Sequence, residues 1–261
     1  MFKISIITVV RNDLSGLKKT EVSILNQTYS KYEWVVIDGN SNDGTKEYVN
    51  NLNHDFIYSQ SEKDKGIYDA MNKGIKYSTG DYLIFLNAGD EFYDNETLEL
   101  VNYQLNISDA DVLFGGADIY FNKDHFIYRP PLNINECISF SLPGHHQATY
   151  YSKHILNKIQ YPSDYKHSGD YALICLLYNN GISTTILNKP LVKFVVGHNS
   201  FENIFKILYF STKIQKNILQ SNYCTILKSF LRRLFSTFSV QFFYKFPFFL
   251  SFIKGVNKCK F

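Results

Sequence analysis

Cysteine is scarce in this chain, and its spacing carries no pattern. The four residues Cys137, Cys175, Cys224 and Cys259 are scattered, with no CxxC pair. A zinc ribbon and a disulfide framework are therefore excluded as organising principles, and a reducing cytoplasm fits best. Long apolar runs are missing as well. No stretch of about 20 uncharged apolar residues exists, so a transmembrane helix is not expected. The apolar run Ile6–Val10 meets Arg11-Asn12-Asp13 at once, with no small-residue cleavage site, which reads as a first strand rather than a signal peptide. The turn after that strand, Val10-Arg11-Asn12-Asp13-Leu14-Ser15-Gly16, lacks the GxGxxG that lets a backbone approach a dinucleotide pyrophosphate. No internal repeat or low-complexity linker is present, and no Ser/His or Cys/His pair suggests a covalent nucleophile.

What remains is an aromatic-rich globular chain of 261 residues, 45% hydrophobic, with 22 Phe and 20 Tyr. That length suits one large α/β domain with an appendage. The net charge of +3 hides an asymmetry. From Phe201 onward the chain holds ten of the 27 Lys and Arg but only Glu202 of the 24 acids, leaving 17 basic and 23 acidic residues in positions 1–200. A mildly acidic body joined to a basic, aromatic tail points to a surface partner for the tail.

Within Ser5–Asp90, four apolar runs each end in polar or acidic residues. Ile6–Val10 ends in Arg11-Asn12-Asp13, and Trp34–Ile37 in Asp38-Gly39-Asn40-Ser41-Asn42-Asp43-Gly44. Phe56–Tyr58 runs into Glu62-Lys63-Asp64-Lys65-Gly66, and Tyr82–Leu86 ends in Asn87-Ala88-Gly89-Asp90. Helical patterns lie between them, at Leu14–Asn26, Thr45–Asn51 and Ile67–Tyr77. A further helix is expected at Glu96–Leu105 and a strand at Val112–Ile119. The alternation predicts βαβ units in an open, mostly parallel sheet whose ligands bind beyond the carboxyl ends of the strands. After Asn122 the pattern becomes irregular. A short strand is expected at Ala148–Tyr151, a helix at Tyr171–Asn179, and strands at Ser183–Leu187 and Leu191–Val195. From Asn203 the chain reads as helices.

Several residues could carry chemistry, each with a plainer alternative. Asp38 could accept hydrogen bonds from a base imide or a ribose hydroxyl, or simply build the turn with Asp43. Asp90 could hold a hard divalent cation that also binds diphosphate oxygens, but a lone acid is a weak signal; Glu91 beside it could help, or simply cap the next helix. Asp170, in Lys166-His167-Ser168-Gly169-Asp170-Tyr171, could take the proton of an attacking hydroxyl, or cap the following helix. His145, His146 and His154 invite a metal reading, but no acid completes a ligand set, which favours supporting or acceptor-side roles. His198 ends the body and could approach the metal or the diphosphate, or be an ordinary loop histidine.

Taken together, these segments resemble the family 2 glycosyltransferases of the GT-A fold, of bacterial surface-polysaccharide type. The resemblance covers Phe2–His198. It rests on Ser5-Ile6-Ile7-Thr8-Val9-Val10-Arg11-Asn12, on Val36–Thr45, on Gly80–Asp90, and on Ser61–Gly74 after the third strand. It implies that Thr8 and Asn12 line the nucleotide pocket, that Asp38 binds the base, and that Asp64 and Lys65 reach the nucleoside or diphosphate. Asn87 would join that nucleotide-sugar site. Asp90 would be the last carboxylate of a DxDD-like metal motif, with His198 as a further ligand, and Asp170 the base that activates the acceptor. Gly144-His145-His146-Gln147 would form an acceptor-side loop. Where many relatives have Leu-Asp-x-Asp-Asp, this chain has Leu86-Asn87-Ala88-Gly89-Asp90, so two of three acids are missing and Mg²⁺ or Mn²⁺ would be held more by the substrate.

The expectation is an inverting transferase that moves a sugar from a nucleotide-sugar, a UDP-sugar, to a hydroxyl of a glycan or polyprenyl-linked glycan. The catalytic domain would span 1–200. The helical extension 201–261 would lie partly on the body and partly on the inner face of the cytoplasmic membrane, with Phe242, Phe243, Phe248, Phe249 and Phe252 as anchors and Lys228, Arg232, Arg233 and Lys245 on anionic head groups. Nucleic acid is not an expected partner, and an oligomer is compatible with the sequence. A sugar nucleotidyltransferase would want a glycine-rich basic phosphate loop near the first strand, which is missing. An inactive GT-A-like scaffold is the other alternative; the lost acids favour it, while Asp38, Asp90 and Asp170 oppose it.

Overall fold

The computed structural model describes residues 1–121, 124–196 and 204–245. The N-terminal half is a regular alternation: β1 (Ile4–Val10), α1 (Leu14–Leu25), β2 (Tyr32–Asp38), α2 (Thr45–Asn50), β3 (Ile57–Ser61), α3 (Ile67–Tyr77) and β4 (Tyr82–Phe85). The four strands pair in parallel in the order β3-β2-β1-β4. Both faces of this sheet are covered, which is why its strands read as unbroken apolar runs. Ile7 and Val9 of β1 enter one core with Ala70, Met71 and Ile75 of α3. Ile6 and Val10 enter the opposite core with Leu17 and Ile24 of α1.

The second half adds β5 (Glu91–Phe92), α4 (Thr97–Ser108), β6 (Val112–Phe121), β7 (Asp124–Tyr128), α5 (Ile134–Ile138), a 3₁₀ turn at His146–Ala148, β8 (Thr149–Ser152), α6 (Lys153–Lys158), α7 (Gly169–Asn179) and β9 (Thr184–Val195). The sheet continues β4-β8-β6-β9-β5, with β7 on β6. β8 is antiparallel to both β4 and β6, so β6 runs in the same direction as the first four strands. The fold is thus mixed α/β, with a sheet parallel in its first half and mixed beyond. β5, β7, α5 and α6 are too short to leave a periodic signal and were not foreseen. The two strands expected at 183–187 and 191–195 are one strand, β9. Pro190 lies within it, where the register with β6 shifts around Gly116, and such an irregularity accommodates a residue with no N–H.

At the amino edge of the sheet, away from the strand ends that carry the loops above, Glu33 anchors a polar cluster. It pairs with Lys3 at 2.7 Å and accepts from the hydroxyls of Ser5 and Thr79 at 2.6 and 2.5 Å. Burial opposes its ionisation, but bonds from Lys3, Ser5 and Thr79 outweigh that and hold its carboxyl down to about 2.

Two helices follow the sheet, α8 (Ile204–Asn217) and α9 (Tyr223–Lys245). Leu208, Ser211, Ile214, Gln215 and Ser229 are buried. Asn179 at the end of α7 donates to the Ile218 carbonyl at 2.7 Å. The expectation that Arg233 faces lipid head groups is corrected by its geometry. Its Nε donates to the Phe140 carbonyl at 2.8 Å, so it points into the protein. Phe248, Phe249 and Phe252 lie outside the described residues, as do the side chains of Phe242, Phe243 and Lys245. Among the described residues no helix is long and apolar enough to cross a membrane.

Candidate active site

The loops after β1 and β2 are tied together. The Asn12 N–H donates to Ser41 Oγ at 2.7 Å, and Asn12 Oδ1 accepts from the Asn42 N–H at 2.9 Å. Asn12 has φ 53°, a left-handed conformation that asparagine tolerates. Asp13 caps α1 by accepting from the Gly16 N–H at 2.9 Å. Asp38 is fully buried at the head of this loop. Its carboxylate accepts from the Ser41 N–H at 3.1 Å, from the Ser61 hydroxyl at 2.5 Å and from the Ser41 hydroxyl. Asp38 therefore braces its own turn at Ser41 and ties the end of β2 to the end of β3 at Ser61.

Gly39, next in the chain, leaves room for two side chains from neighbouring loops. A Cβ there would come within 2.5 Å of Asp64 Oδ2 and 3.4 Å of Arg11 Cδ. The Asp64 carboxylate and the Arg11 stem thus converge on this backbone, and Asp64 Oδ1 accepts from the Gly66 N–H at 2.9 Å. Lys65 is exposed, with its N–H donating to Asp69 at 3.0 Å. Thr8 departs from expectation. It is fully buried, donates to the Leu86 carbonyl at 2.7 Å and accepts from Trp34 Nε1 at 2.9 Å. A strand residue with both faces covered sits in core, not on a pocket wall.

The loop after β4 is held from α1. The Thr20 hydroxyl donates to the Asp90 carbonyl at 2.8 Å and accepts from the Gly89 N–H at 3.0 Å. Asp90 is only 5% exposed. Burial pushes its carboxyl up to about 7, against hydrogen bonds from the Gln147 side chain and the Asn87 backbone and the charge of Lys19. Gln147, expected on the acceptor side, lies beside Asp90. Glu91, the other acid beside it, pairs with Lys19 at 2.8 Å and does not cap α4. Asn87 Oδ1 is buried with no partner.

The 3₁₀ turn links this loop to a second acid. His146, beside Gln147, stacks on Phe85 with centroids 5.4 Å apart. Its Nε2 lies 3.5 Å from the Tyr161 hydroxyl. Tyr161 stacks on Tyr68 at 5.2 Å, and the Tyr68 hydroxyl lies 3.5 Å from Asp170 Oδ1. Burial lowers the pKa of His146, and the negative charge of Asp170 opposes that shift. His145, between the rings of Tyr128 and Phe194, is held down to about 4, first by burial and then by His146. Both histidines are thus neutral at pH 7, and the Nδ1 atom of each is buried without a partner.

Asp170 lies in the first turn of α7 but is not its cap, because Ser168 holds that position. Its Oδ1 accepts from the Tyr171 N–H at 2.9 Å. A carboxylate there is favoured by the helix dipole. Tyr68 and Tyr161 were missed by the sequence reasoning. Tyr68 lies in the Ser61–Gly74 segment, whereas nothing local marks Tyr161.

Among the described residues no group of three His, Cys, Asp or Glu is placed to hold a metal ion. His154 lies within 2.8 Å of Lys158 on α6, and His198 lies outside the described residues.

The sequence model described as Glycosyl transferase family 2 matches residues 5–183. An uncharacterized glycosyltransferase of Mycobacterium tuberculosis, Rv1514c, is 33% identical over 175 residues, 66% of this chain and 67% of the relative. A PGL/p-HBAD biosynthesis glycosyltransferase of the same species, Rv2957, is 28% identical over 214 residues, 72% of this chain and 82% of the relative. Among solved structures, S. aureus TarS 1–349 in complex with UDP-GlcNAc superposes with a TM-score of 0.70 at 20% identity, over 90% of this chain and 73% of that one. The Pyrobaculum calidifontis mannosyltransferase PcManGT, in complex with GDP-Man and Mn²⁺, gives 0.67 at 14% identity, over 92% and 74%.

Proposed function

The chain belongs to glycosyl transferase family 2 and is a glycosyltransferase, and from that premise we propose that it inverts the anomeric centre of a UDP-sugar while transferring the sugar to a hydroxyl of a lipid-linked glycan. The observation that carries this reading is the 3₁₀ turn His146–Ala148. His146 lies against Tyr161 in the wall beside Asp170, and its neighbour Gln147 bonds Asp90, which supports a proton acceptor and a donor-side acid serving one site. Asp170 Oδ1 is taken up by Tyr171 and Tyr68, while Oδ2 accepts no bond from the described residues. An acceptor hydroxyl at Oδ2 gives up its proton as its oxygen forms a bond to the anomeric carbon. The bond to the diphosphate breaks on the opposite face, and no enzyme nucleophile is needed.

The diphosphate leaves toward the β4 loop. The residues there fit a divalent cation held largely by the substrate: Asn87 Oδ1 is a buried hard oxygen without a partner, and Asp90 is a buried carboxylate with an upward-shifted pKa. When bound, Mg²⁺ or Mn²⁺ would neutralise charge on the departing diphosphate. Asp64 and Lys65 border the nucleotide. Base recognition by Asp38 requires the imide N–H to take the place of a serine donor. The UDP-GlcNAc complex of TarS supports a uridine donor.

Membrane attachment is supported by an exposed apolar stripe on α9, Tyr223, Leu227, Leu231 and Phe235, at four-residue spacing beside Lys228 and exposed Arg232. Hydrolysis of a nucleotide-sugar panel with and without Mn²⁺ tests the donor. UDP-sugar turnover is expected, and Asp170→Asn should lower transfer by about 10²–10⁴-fold with donor affinity kept. Turnover of GDP-sugars alone would refute the uridine assignment.

A further inference from the structure

Arg233 on α9 makes contacts that lead back to Asp170. Its Nε donates to the Phe140 carbonyl at 2.8 Å, its Nη1 donates to Ser211 Oγ on α8, and its guanidinium lies 4.6 Å from the ring centroid of Tyr171. The Tyr171 hydroxyl donates to the Ile138 carbonyl at 2.7 Å. Gln215 on α8 donates to the Ser139 carbonyl at 2.8 Å, and Ser229 on α9 donates to the Phe140 carbonyl at 3.0 Å. The two C-terminal helices therefore grip residues 138–140 and Tyr171 together. Tyr171 is the residue whose N–H holds Asp170 Oδ1 at 2.9 Å.

Packing alone gives no reason for a charge at this place. Arg233 Nη2 is buried with no partner, and burial lowers the pKa of the guanidinium. A buried cation left unpaired costs stability, and an apolar side chain of similar length would avoid that cost. Its electrostatic partners are Tyr171, Cys175 and Asp170. The other groups that face Asp170 are Tyr68 from α3, His146 from the 3₁₀ turn, Tyr151 from β8, Tyr161 from the segment after α6 and Cys175 from α7. Burial keeps all five neutral, raising the tyrosines and the thiol and lowering the imidazole. Arg233 is the cation in that set.

We propose that Arg233 is a positioning residue for sugar transfer: packed on Tyr171 and bonded to Phe140 and Ser211, it fixes the first turn of α7, where the Tyr171 N–H holds the Asp170 carboxylate. The helix pair α8–α9 then belongs to the catalytic unit, in addition to any role at a surface. The inference rests on Asp170 being the base, and Asp170→Asn tests that separately.

The experiment measures transfer by the full chain, with the nucleotide-sugar turned over in the panel above, for the parent, Arg233→Met and Arg233→Lys. For Arg233→Met, kcat should fall on the order of 10–100-fold with the donor KM unchanged, as for a displaced reacting group. Arg233→Lys should lose several-fold in kcat, again with the donor KM unchanged, because an ammonium cannot reproduce the fork to Phe140, Ser211 and the Tyr171 ring. A folded Arg233→Met with parent kcat, or with its loss confined to the donor KM, overturns the proposal. If Arg233→Met does not fold, Arg233→Lys decides, and parent kcat in that variant overturns it. If Asp170→Asn retains full transfer, the base assignment fails, whatever the Arg233 variants do.

Discussion

Asp90 should destabilise the ligand-free protein at neutral and alkaline pH, and removing its charge should stabilise it. Burial raises its carboxyl from 3.8 to about 7. The folded state therefore binds a proton more tightly than the unfolded chain, so stability falls as pH rises from about 4 to about 7 and is flat above that. A shift of roughly three units at 1.36 kcal/mol each sets a ceiling of about 4 kcal/mol. That is a large part of the 5–15 kcal/mol typical of a folded domain. With Asp90 only 5% exposed, solvent screening does not reduce the figure much. In Asp90→Asn the amide can still accept from Gln147, so the variant mimics the neutral acid. Urea unfolding of both proteins without ligand, followed by the fluorescence of the fully buried Trp34, reads the difference. The advantage of Asp90→Asn should grow by about 2–3 kcal/mol between pH 5 and pH 8 and then level off. Adding Mn²⁺ with UDP should narrow it, because a cation favours the ionised carboxylate. Equal stability at pH 5 and pH 8 in both proteins would refute the burial argument. The same variant should lose transfer, so a gain in stability accompanied by a loss of activity marks the acid as functional.

Glu33 should act with the opposite sign. Its carboxyl is lowered from 4.5 to about 2, so its contribution is present above about 4.5 and is lost as pH falls toward 2; Glu33→Gln should melt lower than the parent at pH 7 and converge with it near pH 2 in a thermal scan. Gly39→Val should abolish UDP binding by calorimetry while the far-ultraviolet spectrum stays native, since the new side chain displaces Asp64 and Arg11; unchanged binding would separate that pair from the donor. For the tail, flotation of the parent with anionic vesicles should be lost in Leu227→Asp/Leu231→Asp and weakened by high salt; equal flotation of both forms would remove the α9 stripe from the membrane contact.

The first half of this fold was legible because each βα unit writes its own punctuation. Every parallel strand is buried on both faces and therefore apolar throughout, and each ends at a loop whose Asn, Asp and Gly residues are needed to turn the chain. Those residues are ambiguous for the same reason. Asp38 and Thr8 occupy the positions that the resemblance assigned to the nucleotide, yet one joins two strand ends and the other bonds across the core. A polar residue at the end of a buried strand satisfies backbone and neighbouring donors first, and sequence spacing does not tell that duty from ligand contact.

The second acid was harder to place because its surroundings are assembled from distant parts of the chain. Asp170 was singled out as an acid ahead of an apolar helix, where capping explained it equally well. Its surroundings bear on the capping reading in physical terms. Ser168 takes the cap position, and Tyr68 from α3 lies 3.5 Å from the carboxylate, with Tyr161 stacked behind it. His146 completes that wall, and its neighbour Gln147 reaches Asp90. A three-residue turn with no periodicity therefore touches the surroundings of both acids, and only the assembled sheet brings it to β4. The C-terminal helices extend the same logic. Their basic residues suggested a surface by count alone, but α9 divides them by face, with Arg232 outward beside the apolar stripe and Arg233 inward against Tyr171. One helix thus offers an apolar, basic face to a surface and a buried cation to the helix that bears Asp170.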